Sequence, residues 1–120
     1  MKGSKFNIKF NYLYRDAGNY KIFGCVIFSN QKKIDLERIE LEIKDNLIDK
    51  EFFYPLDCKI PVLNFDGINE EISDVWYEFE NVEFTDEHVT DNKSIEEFLL
   101  GLQLQTKTIS RPHFDFKQIR

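Results

Sequence analysis

Between Lys5 and Arg15 the chain places a large apolar residue at almost every second position. Phe6, Ile8, Phe10, Tyr12 and Tyr14 alternate with Lys5, Asn7, Lys9, Asn11 and Arg15, and only Leu13 breaks the rule. A helix would scatter these side chains around its whole circumference, whereas a strand gathers them on one face, so the segment is a half-buried strand. Asp16-Ala17-Gly18-Asn19 follows as a turn, with Gly18 the residue suited to positive φ in a glycine bulge. Tyr20 to Ser29 then forms the second strand of a hairpin. Ile22, Val26 and Phe28 lie on one of its faces and Phe23, Cys25 and Ile27 on the other, a pattern that predicts a central strand covered on both sides. Cys25 reads as a core thiol in this setting.

The period changes after this hairpin. Leu36, Ile39, Ile43 and Leu47 recur at helical spacing, with Asp35 as N-cap, and predict a helix to about Ile48 whose remaining positions are largely charged. Phe52 to Tyr54 reads as a short strand, Pro55 and Pro61 bracket an irregular piece, and Asp66-Gly67 marks a turn. In the strand Val75–Phe84, Val75, Tyr77 and Phe79 share one phase and Val82 and Phe84 the other, which predicts a β-bulge at Glu80 or Asn81. Thr85 to Lys93 is a polar loop. Ser94 and Glu97 form a capping box for a short helix that Gly101 would end, and Leu102, Leu104, Thr106 and Thr108 alternate as a last strand. The expected architecture is α+β: an antiparallel sheet of four or five strands with one main helix on one face, in the order ββαββ(αβ). Residues 1–120 form one domain on this reading, with 110–120 a polar tail.

Charge is distributed unevenly. Residues 1–33 carry a net +6, residues 34–101 a net −15 and residues 102–120 a net +3, for −6 overall. Within the acidic middle, Ile60 to Asn92 contains no Lys or Arg but ten carboxylates, interleaved with Phe65, Trp76, Tyr77, Phe79 and Phe84. Such a strip projects a negative potential over roughly 8 Å at physiological salt and attracts a basic partner. The sequence pI near 4.9 disfavours phosphate tracking, although Lys5, Lys9, Lys21, Lys32 and Lys33 make a modest basic face beside aromatic residues. No apolar run is long enough to span a bilayer and no signal-peptide core opens the chain, so a cytoplasmic setting is expected.

Motifs for catalysis are sparse. Cys25 and Cys58 lack CxxC spacing, and His88 and His113 give neither thiol an evident base. Asp86, Glu87, His88 and Asp91 contain ligand-type groups but match no calcium loop or zinc hydrolase pattern. Glu78, Glu80 and Glu83 would serve acid–base chemistry only if a desolvated pocket separated their pKa values. The Arg15–Tyr20 loop is read as hairpin chemistry. These features predict no catalytic residues, metal or cofactor, and no direct contact with nucleic acid or membrane.

Tyr14-Arg15-Asp16-Ala17-Gly18-Asn19-Tyr20-Lys21, Glu51-Phe52-Phe53 and Trp76-Tyr77-Glu78-Phe79 together resemble a group of small uncharacterised bacterial proteins. The resemblance covers about residues 5–100, implies a bacterial cytoplasmic origin and assigns no catalytic residue. The expected function is binding: a small acidic protein occludes a basic protein partner, in the manner of immunity proteins, antitoxins or nuclease inhibitors. Trp76, Glu78, Glu80, Glu83, Asp86, Glu87 and Asp91 are the expected contact residues. The alternatives are a metal-dependent enzyme or small-ligand binder, and a subunit of a larger assembly.

Overall fold

The computed structural model describes residues 5–64, 71–72 and 75–109. Its elements run β1 (Asn7–Arg15), β2 (Lys21–Phe28), α1 (Leu36–Asp45), β3 (Phe52–Phe53), α2 (Pro55–Cys58), β4 (Leu63–Asn64), β5 (Glu71–Ile72), β6 (Tyr77–Thr85) and α3 (Ile95–Ile109). The protein is α+β, with a four-stranded antiparallel sheet in the order β2-β1-β6-β3 and a separate two-stranded pair, β4-β5. The predicted turn at Asp66-Gly67 and the tail 110–120 lie outside the described residues.

β1 is the centre of the sheet because it pairs along its length with both β2 and β6. Its even-numbered residues Ile8, Phe10 and Tyr12 are fully buried, and beside them lie Val26 and Phe28 of β2 and Tyr77, Phe79 and Val82 of β6. Both α1, through Ile39 and Ile43, and α3, through Ile95, Phe98, Leu99 and Leu102, close this layer. Phe98 joins it most intimately, with ring centroids 4.5 Å from Phe28 and 5.3 Å from Phe10.

Two buried tyrosines tie Pro61, Leu63 and Ile72 to the same core. Tyr12 and Tyr77 stack with centroids 5.9 Å apart. The Tyr12 hydroxyl donates to the Pro61 carbonyl at 2.9 Å, while the Tyr77 hydroxyl accepts from the Leu63 N–H at 2.9 Å and donates to the Ile72 carbonyl. Gly24 makes room for this arrangement, since a Cβ there would come within 2.8 Å of Leu63 Cδ2 and 2.9 Å of Tyr12 Cζ.

Several expectations are corrected. β2 is an edge strand of the four-stranded sheet, because β6 takes the other side of β1. Phe23 is consequently 58% exposed and Cys25 is a surface thiol, not core packing. In the hairpin turn the left-handed residue is Asn19 (φ 68°), not Gly18; Asp16 Oδ1 accepts from the N–H groups of Gly18 and Tyr20 and so holds the loop. Helix α1 stops at Asp45, where the Asn46 side chain bonds the Glu42 carbonyl and Asp49 and Lys50 turn the chain with positive φ. The stretch after Tyr54 is not irregular throughout: Pro55 begins a single helical turn that the left-handed Lys59 ends. The capping box forms as expected, with Ser94 N–H to Glu97 Oε1 at 2.9 Å and Glu97 N–H to Ser94 Oγ at 3.2 Å. The predicted last strand is instead helix, because Leu102 (2% exposed) continues the buried stripe of Ile95, Phe98 and Leu99 past Gly101.

Candidate functional site

β6 shows how a local irregularity can gather side chains. Asn11 pairs with Asn81 but the next residue, Tyr12, pairs with Phe79, so Glu80 is the extra residue of a bulge. Under strict alternation Glu78 and Glu83 would occupy opposite faces. With the bulge both stand on the outer face, opposite Leu13 and Lys9 respectively, while Phe79 and Val82 both remain in the core. Of the apolar residues read into the core face, Phe84 stays 40% exposed and packs edge-on against Phe6.

The outer face is then laid out as a ladder between β1 and the acidic chain beside it. Arg15 makes a forked bond to Glu78, with Nε–Oε2 at 2.7 Å and Nη2–Oε1 at 3.0 Å, and its third nitrogen reaches Asn19 Oδ1 at 2.6 Å. Asn11 donates to Asn81 Oδ1 at 2.8 Å and to Glu83 Oε2 at 3.0 Å. Lys9 bonds Glu87 Oε2 at 3.0 Å, and Thr85 donates to the same carboxylate. The hydrogen bond from Lys9, followed by that from Thr85, lowers the Glu87 carboxyl below its ordinary pKa; the same partner raises Lys9. Arg15 is raised by its bond to Glu78. Thus the basic first strand neutralises part of the acidic strip, across 63 to 78 residues of sequence.

The expected contact residues divide accordingly. Glu78, on the outer face, and Glu87, after β6, are ion-paired within the chain. Glu83 is exposed, accepts a hydrogen bond from the Asn11 amide and lies opposite Lys9, and Glu80 is exposed with no hydrogen bond or ion pair among the described residues. Asp86 is exposed in the loop that follows β6. Asp91 departs from this group: it bonds the N–H of Lys93 at 2.8 Å and its Nζ at 3.0 Å, and Lys93 in turn lies over the Phe28 ring. Trp76 is half-buried, packed on Phe52 with centroids 5.4 Å apart and on Tyr54 at 6.2 Å. It borders a shallow cleft of about 360 Å³ with Tyr14, Arg15 and Tyr54. Its neighbours Tyr77 and Phe79 are buried and serve the core.

Arg15, Asn11 and Lys9 are site residues that the sequence reading did not include. The signal was present in the +6 and −15 segments, whose pairing is the natural outcome of a basic strand beside an acidic one. Among the described residues no three His, Cys, Asp or Glu side chains are grouped to hold a metal ion. Cys58 lies in a separate groove of about 570 Å³ between α2 and α3, where burial, reinforced by Asp57, pushes its thiol up to about 12. It is therefore protonated at neutral pH and is not a nucleophile in this setting.

In class, the chain is a small α+β protein built on a four-stranded antiparallel sheet, and no described helix is long and apolar enough to cross a membrane. No family model, curated protein or solved structure matches it.

Proposed function

We propose that this is a small cytoplasmic binding protein whose outer sheet face occludes a basic protein partner, the task performed by immunity proteins, antitoxins and nuclease inhibitors. The observation that carries the reading is the bulge at exposed Glu80, which brings Glu78 and Glu83 together to the outer side of β6. Glu80 keeps a carboxylate unmatched by a cation among the described residues, and Glu83 shares Lys9 with Glu87, so excess negative charge is left there to steer the approach of positive charge. Half-buried Trp76, seated on Phe52 immediately before the start of the same strand, supplies a rigid aromatic anchor. Glu78 and Glu87 set the shape of the surface through Arg15 and Lys9.

The test is capture from lysate of the source cell by wild type and by a Glu80→Lys/Glu83→Lys variant, at low and moderate salt. These two positions are chosen because neither is a member of the Arg15–Glu78 or Lys9–Glu87 ion pair, and a Glu80→Lys single variant separates the effect of charge from that of the new lysine opposite Lys9. Recovery of one basic protein by the wild type, weakened by salt and lost in the variant, supports occlusion. Equal recovery by both forms, or no basic protein from either, counts against it.

A further inference from the structure

Among the described residues, the edge of the sheet at β2 is closed over only part of its length. Ile27 donates its N–H to Thr90 Oγ1 and accepts the Thr90 N–H at its carbonyl, both at 2.9 Å, and Ser29 bridges to Ser94 just beyond. Ile27 therefore points both backbone groups away from β1. The two-residue period of a strand gives Cys25, Phe23 and Lys21 the same orientation. Among the described residues nothing pairs with these three. Within the strand itself only Lys21 protects the edge: there is no proline, bulge or inward charge, β4 packs against β2 at Gly24, and Phe23 is 58% exposed beside surface Cys25.

We propose that this open edge pairs with a second copy of the same chain, antiparallel about a two-fold axis at Phe23. The register follows from what is already occupied. Centring the pair on Cys25 would set Phe23 against the partner copy's Ile27 position, which the Thr90 segment fills. Centring it on Phe23 pairs Lys21 with Cys25, Phe23 with Phe23 and Cys25 with Lys21, using only the open residues. No like charges are directly opposed in this register, and the two exposed phenyl rings meet at the axis.

The carboxylates of β6 do not oppose the seam, because they lie two strands, roughly 10 Å, from β2 in each copy. That distance exceeds the roughly 8 Å screening length on either side. Three residue pairs form a small interface, of the weak class below about 1,200 Å². The product is a continuous eight-stranded sheet that presents two acidic outer faces. This pairing is independent of the identity of any basic partner.

Sedimentation equilibrium of the full chain over a wide concentration series tests the proposal. Wild type is expected to show a weak, concentration-dependent dimer, and Phe23→Lys, which sets two cations on the axis, to remain monomeric throughout. A Phe23→Cys/Cys25→Ser variant is expected to form a disulfide-linked dimer on mild oxidation, while wild type, whose Cys25 faces Lys21, is not. A wild type that stays monomeric over the series, a dimer that survives Phe23→Lys, or ready cross-linking through Cys25 would overturn it. Should Phe23→Lys fail to fold, the cysteine pair still decides the register.

Discussion

The two faces of the sheet are built on opposite principles. On the inner face, Phe10, Tyr12, Phe28, Tyr77 and Phe98 interlock with little or no exposure under two helices. On the outer face, Arg15, Asn11 and Lys9 engage carboxylates and amides in partly solvated bonds, and along the β2 edge Thr90 pairs with the Ile27 backbone while Phe23 stays exposed. The same strand, β1, contributes to both. Stability therefore resides in one set of its residues and surface chemistry in the alternate set, so substitutions one position apart should report on different properties.

The largest effect expected from this division is at Phe98. Phe98→Ala removes a ring stacked on Phe28 and set against Phe10, and should cost about 3–5 kcal/mol in denaturant unfolding. A loss below about 1 kcal/mol would mean that α3 does not close the inner face. Next comes Tyr77→Phe, which keeps the packing but strips the bonds to Leu63 and Ile72. About 1–3 kcal/mol should be lost, with faster amide exchange at Leu63. The smallest effect belongs to the outer face. Glu87 should titrate below the ordinary glutamate range by NMR and return toward it in Lys9→Met. Because its folded pKa is the lower one, the stabilisation it gives is present above the unfolded carboxylate value, about 4.3, and fades as pH falls through the folded value. An unchanged Glu87 titration in Lys9→Met would remove that rung from the ladder.

What could be read in the sequence follows the range of the interactions involved. The bulge was legible because it leaves a phase switch between Phe79 and Val82, and the capping box because Ser94 and Glu97 are three residues apart. The position of β2 was not. Apolar residues on both its faces suggested a central strand, yet its free side is met at Ile27 by Thr90, far along the chain, and Phe23 stays exposed. Gly101 looked like a helix stop, since glycine costs about 1 kcal/mol in a helix, but burial of Leu102 outweighs that preference. The candidate site was legible as an accumulation of charge and illegible as geometry. Trp76, Glu80, Glu83 and Asp86 were found as half-buried or exposed surface residues, while the pairing of Glu78 with Arg15 and of Glu87 with Lys9 depends on β1 and β6 meeting.

The claim that the outer face is the binding face is tested most directly by NMR shift mapping of the labelled chain with its captured basic partner. The largest changes should fall on the Trp76 indole and on Glu80, Glu83 and Asp86, with the inner face undisturbed. Changes centred on Phe98, Gly101 and Leu104 in the α2–α3 groove, with the Trp76 and Glu83 signals unmoved, would contradict it.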